Sequence, residues 1–178
     1  MREKKFLIVV DMQNDFIDGS LGTDEARAIV PAVVRRVRDA LAAGETVVAT
    51  LDTHGRDYMK TREGKYLPVP HCIKDTRGWR LSDALEPLLE NCEKVEKPTF
   101  ASMRLPGIIE ALAGNADQIE IELIGLCTDI CVVSNALLLK AAFPEANIAV
   151  RRNCCAGVTP EKHEAALLTM ASCQIDIL

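Results

Sequence analysis

The chain has 178 residues, 48% of them apolar, and a formal net charge of −5. That length allows one domain with a sizeable core, read over residues 1–178. The acidic balance, with neither sign gathered into a block, disfavours a nucleic-acid partner. No apolar run is long enough to span a bilayer, so no membrane partner is expected.

The start, Met1-Arg2-Glu3-Lys4-Lys5, is basic, and the apolar run behind it stops at Asp11. That is too soon for a signal peptide with a cleavage site, so a cytoplasmic protein is expected. Phe6-Leu7-Ile8-Val9-Val10 is a short β-branched and aromatic run, as in a strand buried on both faces. Pro31 in a first turn opens a helical pattern through Leu41, which Gly44 ends. Thr46 to Leu51 is a second strand of the same kind. The irregular stretch from Thr53 to Arg80 follows, and a loop of that length inside a compact domain is usually functional. A short strand is expected near Lys94-Val95, then a helix from Leu105 to Ala113 with Gly114 behind it. Ile119 to Ile124 is a third strong strand, followed by a helix from about Asp129 to Ala142. Ile148-Ala149-Val150 is a weaker strand. Thr159 caps a last helix that begins at Pro160 and runs to about Ser172, before a final strand at Gln174 to Ile177. This alternation predicts an α/β fold: three layers, α/β/α, around a mostly parallel, Rossmann-like central sheet. Ligands in such folds bind beyond the carboxyl ends of the strands.

Several residues at those strand ends can carry chemistry. Asp11 follows the first strand, where a carboxylate faces the ligand crevice or simply forms a turn. Cys131 falls in the first turn of the helix after the third strong strand, with Thr128 or Asp129 as cap. A helix N-terminus favours a thiolate and offers free N–H groups to an oxyanion. A thiol packed against the sheet is the plainer alternative, and the odd count of seven cysteines predicts free thiols rather than a disulfide framework. Cys127 lies four residues before Cys131, but no second pair completes a metal site with it. Lys97 follows the short strand, and beside a cysteine it would favour the thiolate. Asp52 and His54 point the same way in extended chain, and His71 arrives from the long loop. One carboxylate and two imidazoles suit Zn²⁺, Mn²⁺ or Fe²⁺. His163 reads as an ordinary helical histidine, with a dyad to Cys131 as the alternative.

At these residues the chain resembles the isochorismatase-like cysteine hydrolases and, within them, the nicotinamidases. The segments that carry the resemblance are Val10-Asp11-Met12-Gln13-Asn14-Asp15-Phe16, Asp52-Thr53-His54, Pro70-His71-Cys72-Ile73-Lys74-Asp75-Thr76-Arg77-Gly78, Glu96-Lys97-Pro98-Thr99-Phe100-Ala101 and Gly125-Leu126-Cys127-Thr128-Asp129-Ile130-Cys131-Val132. Together, in this order, they span nearly the whole chain. The resemblance implies an Asp–Lys–Cys triad on Asp11, Lys97 and Cys131. It implies a cis peptide at Leu126–Cys127 that aims the N–H groups of Cys127 and Cys131 at an oxyanion. It implies substrate contacts from Phe16 and Leu126, and a divalent metal, zinc before manganese or iron, on Asp52, His54 and His71. The implied reaction converts a small amide, such as nicotinamide, to acid and ammonia through a thioester, in a homo-oligomer.

Two departures bear on the substrate. Many nicotinamidases carry a further histidine after the Asp-x-His pair, where this chain has Asp57-Tyr58. Many also place an aromatic residue just before Pro-Pro-His, where this chain reads Tyr66-Leu67-Pro68-Val69-Pro70. Isochorismatases proper cleave a vinyl ether without the cysteine, so Cys131 disfavours that substrate. The alternatives are another C–N hydrolase acting on a carbamoyl or non-aromatic amide, and a non-catalytic binding protein on the same fold.

Overall fold

The structure, a computed structural model, describes residues 2–178. The elements in chain order are β1 (Glu3–Val10), α1 (Asn14–Ile17), α2 (Asp24–Ala42), β2 (Thr46–Asp52), α3 (Arg62–Tyr66), β3 (Glu93–Lys97), α4 (Leu105–Ala113), β4 (Gln118–Leu126), α5 (Val133–Ala142), β5 (Asn147–Ala156), α6 (Pro160–Ser172) and β6 (Asp176–Ile177). The six strands form one sheet in the order β3-β2-β1-β4-β5-β6, and every pairing is parallel. The strand order reverses between β1 and β4, which makes that gap the topological switch point. No helix among the described residues is long and apolar enough to cross a membrane.

The apolar runs alternate between two cores, as a period of two requires. Leu7 and Val9 of β1 join Val47, Ala49 and Leu51 of β2 under α2, whose Ala26, Ile29, Val33, Val37 and Ala40 form its buried stripe. Leu81, Leu85 and Leu89 from the segment before β3 complete that layer. Phe6, Ile8 and Val10 face the other way, into α4, α5 and α6 through Leu105, Ile109, Ala136, Leu139, Leu167 and Met170. This is the expected α/β/α arrangement.

One helix boundary differs from expectation. Pro31 does not open α2 but lies inside it. Thr23 is the N-cap: its side chain accepts from Ala26 N–H, and Asp24 and Glu25 follow in the first turn, where the helix dipole favours acids. Pro31 sits on the exposed side, so its ring meets solvent rather than the sheet.

Close packing at the switch point depends on a glycine. Gly125, next to last in β4, has φ +119°, and a Cβ there would lie 2.1 Å from the Val10 carbonyl oxygen. Gly125→Ala is therefore expected to destabilise the fold by about 2 kcal/mol or more. The corresponding melting temperature, read by circular dichroism, is roughly 4–8 °C lower.

Candidate active site

The functional groups gather at the carboxyl ends of β1 to β4. At Asp11 the chain leaves β1 with φ +47°, a region that aspartate tolerates better than most residues. Its side chain is fully buried. Thr50 Oγ1 donates to Asp11 Oδ1 at 2.6 Å, and Lys97 Nζ lies 2.6 Å from Asp11 Oδ2. That second contact is an ion pair without a well-aligned hydrogen bond, so Oδ2 retains acceptor capacity. Lys97 ends β3, is 1% exposed, and reaches Cys131 Sγ at 3.4 Å, the Thr99 carbonyl at 3.1 Å and Asp52 Oδ1 at 3.4 Å. The three residues expected to form a triad are in mutual reach, although they stand far apart in sequence.

Cys131 is 5% exposed and lies in a π-helical turn, Thr128–Val132, that leads into α5. The expected cap is absent. Cys127 holds the N-cap position without a side-chain bond. Thr128 Oγ1 instead pairs with His163 Nδ1 at 2.8 Å, and Asp129 Oδ1 accepts from Val158 N–H at 2.9 Å. These bonds fasten the turn to α6 and to the loop before it. They also give His163 a hydroxyl partner in place of a dyad with Cys131. The peptide between Leu126 and Cys127 is cis.

The electrostatics favour a neutral thiol at rest. Burial pushes the Cys131 thiol well above its ordinary value, the Asp11 charge pushes the same way, and Lys97 opposes them. Burial likewise raises Asp11 against the pull of Lys97. For Lys97, burial disfavours the ammonium, but the charges of Asp11 and Asp52 hold its pKa above the usual lysine value. The arrangement is a proton-bearing thiol beside a buried carboxylate–ammonium pair.

Beside this trio stands a second group. Asp52, His54, Glu63 and His71 each present one ligand atom, all within 4.8 Å of one another. His54 Nε2 is 2.9 Å and His71 Nε2 is 3.4 Å from Asp52 Oδ2, and both are 3.6 Å from Glu63 Oε1. His71 Nδ1 contacts the Val69 carbonyl at 2.8 Å, which leaves Nε2 for the cluster. The backbone sets the pair of imidazoles: His54 N–H donates to the Cys72 carbonyl, and Lys74 N–H to the His54 carbonyl. Buried Tyr58 packs edge-on against both rings, at 4.8 and 5.0 Å. Burial works against a charged His71, yet hydrogen bonds to Asp52 and Glu63 push its pKa up to about 10. That same negative field suits a divalent cation, and two imidazoles with two carboxylates form a fitting donor set.

Glu63 and Tyr58 were not legible as site residues in the sequence. Glu63 comes from α3, inside the stretch expected to be irregular. The signal for it was Thr61, which caps α3 by accepting from Gly64 N–H and brings an acid into the first turn. Glu63 thus adds a second carboxylate to the group expected on Asp52, His54 and His71.

A cavity of about 290 Å³ opens over both groups. Cys127 and Cys131 line it on one side, Asp52, Glu63 and His71 on another. Phe16 lines it, its ring 5.6 Å from that of His71. Leu126 does not: its side chain is fully buried in the core beneath α2, because β4 turns that residue into the sheet. Leu67 and Phe100 supply wall instead, while Tyr66 turns outward and is 77% exposed.

Residues 5–178 match the isochorismatase domain model. The chain belongs to the isochorismatase family. It is an amidohydrolase enzyme of that family, and its matches extend over nearly the full length. An uncharacterized isochorismatase family protein, PncA, of Bacillus subtilis is 33% identical over 179 residues, 95% of each chain. The crystal structure of nicotinamidase/pyrazinamidase PncA from Bacillus subtilis superposes with a TM-score of 0.86 at 31% identity, over 98% of both chains. A pyrazinamidase of Pyrococcus horikoshii in complex with zinc superposes at 0.81 with 27% identity, again over 98% of both chains.

Proposed function

We propose that the protein is a nicotinamidase-like cysteine amidohydrolase, with Cys131 as nucleophile, Asp11 as proton carrier and Lys97 as charge stabiliser. The observation that carries this reading is the contact of Asp11, Lys97 and Cys131 beneath a cavity whose other wall holds the Asp52, His54, Glu63 and His71 group.

In the proposed reaction Asp11 takes the thiol proton as Cys131 Sγ attacks the amide carbon. The C–S bond forms, and the carbonyl π pair moves to oxygen. The N–H groups of Cys127 and Cys131 receive that oxyanion. The intermediate collapses, the C–N bond breaks, and Asp11 gives its proton to the leaving nitrogen, so ammonia departs. Water then attacks the thioester while Asp11 takes one of its protons. The C–S bond breaks, the acid leaves, and Asp11 returns the proton to the thiol. Throughout, the Lys97 ammonium keeps the extra negative charge tolerable in a buried site. Asp52, His54, Glu63 and His71 would hold the divalent ion, with zinc favoured. When bound, it supplies a Lewis-acidic anchor for a ring nitrogen of the substrate.

The test is ammonia release from nicotinamide by zinc-loaded protein, beside pyrazinamide, aliphatic amides and N-carbamoyl compounds. Preference for the heteroaromatic amides supports this reading. Preference for the others supports a C–N hydrolase of different specificity, the reading favoured by Leu67, an aliphatic wall residue in the segment where many nicotinamidases carry an aromatic one. For the metal group, Glu63→Ala is expected to weaken zinc binding by at least about 10- to 100-fold, the loss that follows removal of even an outer partner of a zinc ligand, measured by competition with a chromophoric chelator.

A further inference from the structure

Cys131 and Lys97 meet across the molecule. Cys131 follows β4 and Lys97 ends β3, and two other strands separate β3 from β4 in the sheet. A Sγ–Nζ distance of 3.4 Å therefore needs something other than strand pairing to set it. One side chain bridges the two parts directly. Asn135, in the first turn of α5, is fully buried. Its Oδ1 accepts from Ser102 N–H at 3.0 Å, and its Nδ2 donates to the Phe100 carbonyl at 3.1 Å and to the Cys131 carbonyl at 2.8 Å. Two carbonyls demand the amide nitrogen and one N–H demands the oxygen, so only this orientation of the carboxamide satisfies all three. The segment it grips is the one Lys97 holds from the other end, through the Thr99 carbonyl. The same segment presents Phe100 to the cavity.

We propose that Asn135 is a positioning residue that registers the Cys131 backbone against the Thr99–Ser102 segment, and so sets both the Cys131–Lys97 contact and the Phe100 wall. The proposal rests on the reading of Cys131 as nucleophile. The physical case is that a displacement of about 1 Å at a reacting group can cost on the order of 100-fold in rate. A buried carboxamide with three bonds to two elements is rigid enough to prevent such a slip. Asp11 and Lys97 are the charged groups facing the thiol from β1 and β3, and Asp52 acts on it from β2. A slip of α5 alters all three influences at once.

Two neutral variants separate registration from mere packing. Asn135→Thr keeps a hydroxyl that bonds the carbonyl four residues back, that of Cys131, but loses both bonds to the segment after β3. Asn135→Ala loses all three. The measurement is the pH midpoint of Cys131 alkylation by iodoacetamide, mapped by peptide mass spectrometry, with the melting temperature recorded alongside. The midpoint reads the thiol's pKa, which burial and the Asp11, Lys97 and Asp52 charges set together, and it needs no substrate. The expected result is a shifted midpoint in both variants at temperatures where they are folded. On an accepted amide kcat falls about tenfold or more, and KM rises as the Phe100 wall loses its anchor. A wild-type midpoint and kcat with only a lower melting temperature would overturn the proposal, and so would failure of both variants to fold, which assigns Asn135 to the fold as a whole. Absence of turnover on every amide, with a shifted midpoint, defeats the proposed reaction and leaves the positioning role standing.

Discussion

In Cys131→Ala, ammonia release from an accepted amide is expected to fall by about 10³-fold or more. The loss follows from the site's composition. Asp11 and Lys97 remain paired at 2.6 Å without Cys131, but neither offers a nucleophile to the amide carbon. The substitution removes one sulfur from a buried position and leaves the polar contacts of Asp52, His54, Glu63 and His71 untouched. Zinc affinity and melting temperature should thus stay close to those of the parent chain. A steady-state ammonia assay with stopped-time controls reads the first, chelator competition and circular dichroism the others. Near-normal turnover by Cys131→Ala would sink the thioester route. A binding-only role on this fold would instead show no turnover in the parent chain either, with substrate-like amides still stabilising the protein.

Lys97→Met has a different expected signature, loss of stability together with loss of activity. The ammonium touches Asp11, Asp52 and Cys131 in a site almost closed to solvent. Its removal leaves a buried carboxylate without its cation, which costs about 3–5 kcal/mol. Urea unfolding measures this directly. Burial then holds the Asp11 pKa above its unfolded value with no nearby cation to oppose it. Such a group stabilises the fold fully below its unfolded pKa, and that contribution is lost as pH rises through the folded pKa. The defect should therefore deepen from acidic toward neutral pH. Asp11→Asn combined with Lys97→Met removes both charges and should recover much of the stability while restoring no activity. A double variant as unstable as Lys97→Met would show that the pair is not the source of the loss.

The layered fold was legible because the strands are short, dense apolar runs. Phe6 to Val10 and Thr46 to Leu51 bury both faces, and that pattern marks a parallel sheet. Asp11, Lys97 and Cys131 were legible as strand-end residues, and the family resemblance singled them out among many such positions. Single-residue signals failed where a distant partner decided the outcome. Pro31 looked like a helix start because proline favours first turns, yet Thr23 caps the helix earlier and the proline's exposed side tolerates it. Thr128 and Asp129 looked like caps, but His163 and Val158, remote in sequence, take their side chains. Leu126 adjoins the cavity in sequence, but strand alternation turns it into the core. Glu63 was hidden because a short helix in a long connection gives too little periodicity to read.

Asp52 lends one carboxylate oxygen to the lysine and the other to the imidazoles. This shared use constrains how the protein can drift. A lineage that dispensed with the ion could exchange His54, Glu63 or His71 one at a time and keep the Lys97 environment whole. Exchange of Asp52 would injure both neighbourhoods in a single step. Among diverged copies of such a chain, the imidazoles and Glu63 should therefore vary before Asp52 does.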